Sequence, residues 1–375
     1  MNYESLWVLD NLPLTELMGP YDPSLEGIDQ KLNIDLKTGH VFLENILPTE
    51  FLYNSSDYSY RTTSSPKTQY TLQRYLDFFQ SSSKESKTSK IIDIGGNDLT
   101  LAKLLKPFSD ECYVIDPVCS SIDGEEVEGI KVIGKKIEDV DLKEINPDII
   151  SCRHTIEHIE KPKEFINQLF DQCPNHCTFV FELPDFDCLV EGMRFDAVFH
   201  QHLHYFSIDT ISNMVMDCGG EILNHEYNHQ GSCGGALFIA FRKATAKQDQ
   251  ISINVTEKVS HLKKRIKAFD IHMKELSHQI EDLPGPVYGF GAGLMLATYA
   301  YHLETDFSFL RELLDDDMKK RGLGYKNLPL TIEHPDKVNI PEDSSFIITS
   351  MENIRPIYKR LEEFHPRRIL IPNIS

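Results

Sequence analysis

Three histidines, His200, His202 and His204, alternate with other residues in the segment FDAVFHQHLHYFS. In an extended segment this spacing would put the three side chains on one face. Imidazoles on one face could bind zinc or iron. Because imidazole titrates near neutral pH, one of them could instead act as a general base oriented by its neighbours. A chance cluster in a loop is the third interpretation, and the sequence leaves all three open.

A Gly-rich turn in IIDIGGNDLTLAKLL is the second candidate for chemistry. An apolar strand pattern reaches Asp93, and Gly95 and Gly96 follow before a helical pattern begins. Glycines allow a sharp turn and a close approach of a ligand to the backbone, and the amino end of a helix supplies free N–H groups. The pattern differs from the GxGxxG of NAD sites. It resembles the Asp/Glu-x-Gly-x-Asn-Asp/Gly loop of class I methyltransferases, which bind S-adenosylmethionine.

Further candidate ligand-binding residues follow the next strands of the same pattern. Asp116 ends CYVIDP, about 20 residues after the turn, where an acid can accept hydrogen bonds from both ribose hydroxyls. With the Gly-rich turn it predicts a cofactor that contains ribose. Ile137 falls after the third strand, where an adenine ring would lie. Arg153 and His154 fall after the fourth, at the carboxyl edge where such sheets bind ligands.

The central part of the chain predicts the sheet that positions these residues. Its strand patterns are IIDIGG, CYVIDP, KVIGKKI, DIISCRH and TFVFELP, with GALFIAFR as a closing strand. Helical patterns such as DLTLAKLLKPF and PKEFINQLFDQC separate them, which implies right-handed βαβ units and a parallel sheet. A second α/β pattern, from VYGFGAG to RRILIPN, predicts a smaller Rossmann-like domain.

We therefore predict an α/β protein with three parts. Residues 1–66 form a small amino-terminal domain with a hairpin in KLNIDLKTGHVFLEN and a lid. Residues 67–245, which begin with a helix at about 68–79, form the cofactor-binding domain, which is Rossmann-like. Residues 246–375 form a connector helix and the Rossmann-like carboxyl-terminal domain. Within that helix, residues 253–280 repeat apolar positions every ~3.5 residues, which fits a connector packed along two domains or a dimer seam.

Composition limits the partners and the compartment. The chain has 375 residues and a formal net charge of −20, which argues against nucleic acid and anionic membranes as partners. We find no signal peptide and no run of ~18 apolar residues. The eight cysteines are scattered, as is typical of reduced thiols, so we expect a cytoplasmic protein. Cys173 and Cys177, in CPNHC, lack further candidate metal ligands, and a turn before a strand is the simpler interpretation.

Over nearly its whole length, the chain resembles the deoxysugar C-methyltransferase family. Members of this family use S-adenosylmethionine to methylate C-3′ of nucleotide-linked 4-keto-6-deoxysugars. FDAVFHQHLHYFS looks like the family's Tyr-His-Glu-His-x-x-Tyr-Phe-Ser motif, which is the most specific part of the resemblance. IIDIGGNDLTL looks like its cofactor loop, CRHTIEHI like its fourth-strand motif, and SSDYSYRTTSS like its Tyr-x-Tyr-x-x-Ser lid. QGSCGGAL looks like its Gly-Gly strand, and YGFGAG, LLDDD and ILIPN like its final domain.

The resemblance implies roles for individual residues. His202 would be the catalytic base, with His158 and Gln201 lining the same pocket. Tyr60 and Ser64 would touch the cofactor from the lid. The methionyl and ribose parts of the cofactor would be held by Asp93, Gly95, Gly96, Asn97 and Asp116.

The substrate side would include His200, His204, Tyr205, Gly289 and Gly291. The turn at 289–293 could cradle a nucleotide diphosphate at a helix amino end, or it could be a tight structural turn. The implied partner is a small molecule, a nucleotide sugar, bound by a monomer or homodimer.

Several positions depart from the family pattern. The family's amino-terminal domain binds zinc through four cysteines, but residues 1–66 contain no cysteine, so we predict no metal and a hairpin held by packing. The motif tyrosine falls on Phe199, which cannot transfer a proton, and the motif glutamate falls on Gln201, which cannot carry charge. Leu99 stands where a glycine is common. GAGLM lacks the lysine that many relatives carry near that turn.

The favoured reaction is carbon methylation next to a ketone. A base removes the α-proton, and the enolate carbon attacks the sulfonium methyl group. Donors to the enolate oxygen could be His158, Gln201 and His204. Three alternatives stay open: an O- or N-methyltransferase for another small metabolite, a non-catalytic cofactor-binding partner of a biosynthetic complex, and an oxidoreductase that uses both Gly-rich turns.

Overall fold

The computed structural model describes residues 2–48, 66–83 and 88–372. The lid residues Tyr60 and Ser64 lie outside these ranges. The described strands are β1 (Tyr3–Leu12), β2 (Ile28–Asp35), β3 (Val41–Leu43), β4 (Thr88–Ile94), β5 (Ser109–Ile115), β6 (Glu126–Val127), β7 (Ile130–Ile133), β8 (Ile149–Arg153), β9 (Thr178–Pro184), β10 (His204–Tyr205), β11 (Gly220–Asn228), β12 (Ala236–Lys243), β13 (Val287–Phe290), β14 (Leu313–Leu314), β15 (Gly324–Tyr325), β16 (Leu328–Glu333), β17 (Ser345–Ile348) and β18 (Arg368–Leu370). The described α-helices are α1 (Pro66–Ser82), α2 (Thr100–Leu105), α3 (Leu142–Ile145), α4 (Pro162–Gln172), α5 (Phe186–Glu191), α6 (Ile208–Asp217), α7 (Val255–Glu281), α8 (Leu296–His302) and α9 (Ile354–Leu361).

The central sheet has the order β11-β12-β9-β8-β4-β5-β7-β6. Strand β4 lies parallel to both β5 and β8, and β12 lies antiparallel to β9. The predicted parallel sheet is therefore confirmed. The strand predicted in GALFIAFR is β12, but β11 and not β12 closes the sheet on that side. Because the chain leaves β4 in one direction through β5 and returns on the other side at β8, the strand order reverses between β4 and β8. Ligands of such sheets bind at the carboxyl ends of the strands at this reversal.

Helices cover both faces of the central sheet, which explains why its central strands are largely apolar. Ile91 packs in a core cluster with Tyr75 of α1. The next residue, Ile92, points to the other face and packs in a cluster with Phe165 of α4. Helix α1 runs beyond the predicted 68–79 at both ends.

A four-stranded antiparallel sheet forms the amino-terminal part, with the order β1-β2-β3-β10. The predicted hairpin is confirmed as β2 and β3, and the apolar residues Leu32, Ile34 and Val41 that alternate along it are buried. The fourth strand, β10, comes from the histidine segment far along the chain. This pairing fixes the histidine segment to the amino-terminal sheet.

The carboxyl-terminal sheet has the order β15-β16-β14-β13-β17-β18. The pairs from β16 through β14, β13 and β17 to β18 are parallel, and β15 is antiparallel to β16. The predicted second Rossmann-like sheet is therefore confirmed.

Helix α7 connects the central and carboxyl-terminal sheets. It begins at Val255, two residues later than the predicted start at 253. The cause is the Asn254 side chain, which accepts a hydrogen bond from the Glu257 N–H at 3.3 Å and caps the amino end of the helix. Its buried apolar stripe consists of Leu262, Ile266, Phe269, Met273, Leu276 and Ile280. These residues share one core with strands β1 to β3 and helix α8. The stripe is thus covered by its own chain, which is the connector interpretation and not the dimer seam.

The remaining expectations concern membranes and thiols. In the described ranges no helix has the length and apolar character needed to cross a bilayer. All eight cysteines are free thiols. Cys173 and Cys177 are both buried just before β9, and burial raises the pKa of the Cys177 thiol.

Candidate active site

The Gly-rich turn after β4 requires its two glycines. Gly95 has φ +74°, and a Cβ there would lie 2.1 Å from the Thr155 Oγ1. A Cβ on Gly96 would lie 2.7 Å from a methyl carbon of Val114. The turn therefore closes against the segment after β8, so that the carboxyl ends of β4 and β8 meet at the strand reversal.

Two residues after the turn also have left-handed backbones. Asn97 has φ +42° and Leu99 has φ +63°. Asparagine tolerates this region, whereas leucine is strained there by ~1 kcal/mol or more. The glycine that is common at the Leu99 position would remove this strain. Here the Leu99 side chain is buried in the core with Val114, which offsets it.

Asp116, directly after β5, links that strand to the Gly-rich turn. One carboxylate oxygen accepts a hydrogen bond from the Asn97 N–H at 2.8 Å, and the other accepts one from the Val118 N–H at 2.8 Å. Burial raises its pKa, while the two backbone hydrogen bonds lower it. A carboxylate has about four acceptor sites, so the two contacts leave capacity for hydroxyl donors of a ligand.

Asp93 lies at the carboxyl end of β4 and is 1% exposed. One of its oxygens accepts a hydrogen bond from the Ser151 hydroxyl at 3.0 Å, and the other has no hydrogen-bond partner among the described residues. Burial raises its pKa to about 7, although Ser151 and Arg153 oppose the shift.

Arg153 and His154 form a charged network with Glu182 of β9. Arg153 Nε contacts the Glu182 carboxylate, and its guanidinium lies 5.1 Å from the centre of the Tyr75 ring. His154 Nε2 lies 3.3 Å from the other Glu182 oxygen. Burial would raise the pKa of Glu182, but Arg153 and His154 hold it at about 2. Both predicted cofactor residues therefore have protein partners at the edge of β8.

A second buried acid, Glu157, lies between histidines. It is 1% exposed, and its Oε1 is 3.4 Å from His154 Nδ1 and 3.9 Å from His158 Nε2. Burial would lower the pKa of His154, but the Glu182 and Glu157 carboxylates raise it to about 9. His158 Nδ1 contacts the Gln201 carbonyl oxygen at 2.7 Å, and its ring centre lies 4.9 Å from that of His202.

The three alternating histidines do not share one face, so that expectation is wrong. His200 is fully buried, and its Nε2 contacts the Leu12 carbonyl oxygen at 3.0 Å. His204 is in β10, and its Nδ1 lies 3.0 Å from His40 Nε2. His202 alone lies beside His158. The reason is that the chain turns at 199–203, where the His202 N–H donates to the Phe199 carbonyl, and becomes extended only at His204.

His202 is buried, with a ring centre 4.1 Å from that of Phe199. Burial holds the pKa of His202 well below its usual value, and the nearby His158 and His154 lower it further. It is therefore a neutral imidazole that can accept a proton or bind a metal ion. Phe199, in the position of the family's tyrosine, supplies only an apolar wall.

Gln201 and Tyr205 have other partners. The Gln201 amide oxygen accepts a hydrogen bond from the Thr15 hydroxyl at 2.9 Å, so this side chain holds the segment after β1. The Tyr205 hydroxyl accepts a hydrogen bond from the Phe199 N–H at 3.3 Å, and its ring is 4% exposed in the core. Like His200 and His204, these side chains join the amino-terminal sheet to the turn around His202.

Ile137 is in a short 3₁₀ turn after β7 and is 6% exposed. Its carbonyl oxygen accepts a hydrogen bond from the Gln168 side chain at 3.2 Å. Its side chain packs in the core cluster of Ile115. Contact with adenine stays a prediction.

The turn after β13 is tightly packed. A Cβ on Gly289 would lie 2.9 Å from Leu310, and one on Gly291, with φ +103°, would lie 2.6 Å from Ser350. The structural interpretation explains both glycines, and nucleotide diphosphate binding stays a prediction. Asp315 repeats the contacts of Asp116: one oxygen accepts from the Ala292 N–H at 2.8 Å, and the other accepts from the Asp317 N–H at 2.9 Å. Unlike Asp116, it also pairs with Lys320 at 2.9 Å.

Sequence reasoning missed three residues of this site: Thr155, Glu157 and Glu182. A single acid inside the apolar strand TFVFELP signals a buried charge that needs a partner, and this could have identified Glu182. Glu157 stands inside the quoted CRHTIEHI motif. Thr155 carries no such signal, because its contact with Gly95 depends on the pairing of β4 and β8.

Residues 67–225 match the family described as a methyltransferase domain. In fold, the chain is similar to the N-methyltransferase NodS from Bradyrhizobium japonicum in complex with S-adenosyl-L-homocysteine, with 15% identity, a TM-score of 0.38, and coverage of 49% of this chain and 91% of that one. It is also similar to an S-adenosylmethionine-dependent methyltransferase from Mesorhizobium loti, with 10% identity, a TM-score of 0.36, and coverage of 44% and 96%. One from Clostridium acetobutylicum shows 10% identity, a TM-score of 0.36, and coverage of 46% and 90%. No curated protein matches the sequence.

The matched segment contains the Gly-rich turn, Asp116 and the histidine segment. Residues 67–225 are therefore a methyltransferase domain, with S-adenosylmethionine as its methyl donor.

Proposed function

We propose that the methyl group is transferred to a ring carbon next to the ketone of a nucleotide-linked ketosugar, with His202 as the base. The observation that supports this most is His202 itself, a buried neutral imidazole beside His158. The turn that carries it is anchored at the carboxyl edge of the sheet, where the Leu203 N–H donates to the Glu157 carbonyl at 2.8 Å. The Gly-rich turn is at the same edge.

In this proposal the cofactor lies on the Gly95–Gly96 bend. Asp116 accepts hydrogen bonds from the ribose hydroxyls with the acceptor sites that its two backbone contacts leave. Ile137 borders the adenine, and the sulfonium group points toward His202. The methionyl part is held by Asp93, Asn97, Arg153 and His154.

The chemical step balances without a further reactant. His202 accepts the proton from the α-carbon, and the electrons of the C–H bond become the enolate. The enolate carbon then bonds to the methyl carbon as the methyl–sulfur bond breaks, and the electron pair stays on sulfur as S-adenosylhomocysteine. The imidazole afterwards releases its proton to solvent. The protein's main contribution is to hold donor and acceptor in line.

Exchange of the α-proton tests this proposal directly. A nucleotide-linked 4-keto-6-deoxysugar is incubated in D₂O with the protein and S-adenosylhomocysteine, and NMR follows the α-proton. We expect exchange with the native chain, none with His202→Ala, and unchanged exchange with His261→Ala, which replaces a half-exposed imidazole on α7. Equal exchange in the native chain and His202→Ala contradicts the assignment of the base.

A second candidate is O-methylation of a small metabolite with the same base. It is favoured by the contact of Gln201 with Thr15 and by Phe199, because the tyrosine and glutamate of the family motif then have no counterpart beside His202. O-methylation needs a base for the hydroxyl proton but no donor to an enolate oxygen. NMR of the product distinguishes the candidates, since a methyl group on carbon and one on oxygen have different chemical shifts.

A further inference from the structure

The Glu157 carboxylate is buried without the hydrogen bonds that such a group normally has. It is 1% exposed, and neither oxygen has a hydrogen-bond partner among the described residues. Buried polar groups are nearly always satisfied, and an unsatisfied buried carboxylate is costly. The groups that face it are imidazoles: His154 Nδ1 is 3.4 Å away and His158 Nε2 is 3.9 Å away.

A third imidazole approaches from a different segment. Glu157, His158 and His202 each present one possible ligand atom, and these atoms all lie within 4.8 Å of one another. The two segments are fixed to each other by the backbone hydrogen bond from Leu203 to the Glu157 carbonyl at 2.8 Å. The fold therefore brings together the two segments that carry the three groups.

The orientation of His158 is that of a metal ligand. Its Nδ1 is 2.7 Å from the Gln201 carbonyl oxygen. A carbonyl only accepts hydrogen bonds, so Nδ1 carries the proton and, in the neutral ring, Nε2 keeps a lone pair. Metal-bound histidines commonly donate their second ring N–H to a carbonyl in this way. Here the second ring nitrogen, Nε2, is the one that faces Glu157, at 3.9 Å.

We propose that Glu157, His158 and His202 bind one divalent transition-metal ion such as Zn²⁺ or Co²⁺. Two imidazoles and one carboxylate suit these metals, whereas Mg²⁺ and Ca²⁺ prefer oxygen ligands. Metal–ligand bonds of ~2.0–2.1 Å bring tetrahedral ligand atoms to ~3.4 Å from one another. Side-chain rotations close the gap from 3.9 Å between Glu157 and His158. The remaining coordination positions are left for water or an acceptor oxygen.

Occupation of this site would regulate the reaction, a consequence that rests on the proposed function. A His202 nitrogen that binds a metal ion has no lone pair for the α-proton. The metal-loaded chain should therefore bind S-adenosylmethionine but not abstract the proton, and removal of the metal should restore the base.

Metal binding is tested on the full chain after treatment with EDTA, with Co²⁺ as a spectroscopic probe. We expect one equivalent of Co²⁺ to give the visible absorption of a four- or five-coordinate ion, and Zn²⁺ to displace it. Glu157→Gln and His202→Ala should each weaken Co²⁺ binding more than ~10-fold. The control His176→Ala removes a surface imidazole 2.9 Å from Asp148 and should change nothing.

Binding of S-adenosylhomocysteine verifies that each variant is folded, and the isosteric Glu157→Gln serves if His202→Ala does not fold. No cobalt absorption in the native chain, or unchanged absorption in both ligand variants, overturns the site. Acceleration of α-proton exchange by Zn²⁺ overturns the regulatory role. If Co²⁺ binds as expected but the metal-free chain exchanges no α-proton, the metal site stands and the proposed function fails.

Discussion

At the scale of single residues, the carboxyl edge of the central sheet combines backbone strain with buried charge. Leu99 has a left-handed backbone that leucine disfavours, and Asp93 is a buried acid with only one of its oxygens hydrogen-bonded among the described residues. Strain and unsatisfied groups of this kind concentrate at functional sites. Both features have measurable consequences for stability.

Leu99→Gly and Leu99→Ala separate the strain from the packing. Both variants lose a buried side chain, at a cost of ~2–5 kcal/mol. Only glycine relieves the positive φ, by ~1 kcal/mol. We therefore expect Leu99→Gly to be at least as stable as Leu99→Ala in urea unfolding, although glycine is ordinarily the less stable of the two. A glycine variant that is ~1 kcal/mol less stable would show that the strain is absent.

Asp93 predicts a pH dependence of stability. Its pKa is about 7 in the folded protein, against an ordinary value of 3.8. Between these values the folded state binds more protons than the unfolded state, so the free energy of unfolding falls as pH rises from about 4 to about 7. Asp93→Asn should flatten this fall. Urea unfolding at several pH values measures both slopes, and equal slopes would place the titrating group elsewhere.

At the scale of elements, the histidine segment is the point where sequence and structure differ most. The strand and helix patterns of the central sheet, the hairpin and the second sheet follow from apolar periodicity, which is local information. The turn at 199–203 does not, because β10 pairs with β3 and His200 contacts Leu12, residues far earlier in the chain. Sequence reasoning therefore found the histidines but could not assign them to different partners.

Gln201→Glu tests whether this position belongs to the catalytic pocket. Gln201 is 4% exposed and accepts a hydrogen bond from Thr15. A glutamate there would still accept the hydrogen bond from Thr15 but would bury a negative charge. We therefore expect a loss of ~1–3 kcal/mol in the free energy of unfolding at neutral pH. The control Gln230→Glu, at an exposed position, should have little effect. A Gln201→Glu variant as stable as the native chain, with higher activity, would return this side chain to the catalytic pocket.

At the scale of the whole molecule, two Rossmann-like sheets carry the same acid in the same place, and one helix joins them. Asp116 and Asp315 each accept the amide of the preceding turn and the N–H two residues further on. Helix α7 packs its stripe into a core shared by the amino-terminal sheet and the carboxyl-terminal elements. The sequence predicts the stripe, but only the packing shows which chain covers it.

Phe269→Ala tests the connector helix. Phe269 is fully buried and packs against Trp7, with ring centres 5.9 Å apart. Its loss should cost ~3–5 kcal/mol in the free energy of unfolding without changing the mass of the particle in solution. The matched control is Ile271→Ala, on the same helix but 54% exposed, which should cost less than ~1 kcal/mol. If the native chain is a dimer and Phe269→Ala dissociates it, the apolar stripe of α7 is a dimer interface and not a connector.

The matched acids of the two sheets allow the most direct test of cofactor binding at the Gly95–Gly96 bend. Isothermal titration calorimetry measures the affinity of S-adenosylhomocysteine for the native chain, Asp116→Ala and Asp315→Ala. We expect Asp116→Ala to bind at least ~10-fold more weakly, since it loses hydrogen bonds to a charged group, and Asp315→Ala to bind like the native chain. Equal affinity in Asp116→Ala and the native chain, or weakening only in Asp315→Ala, would contradict a cofactor bound at the central sheet.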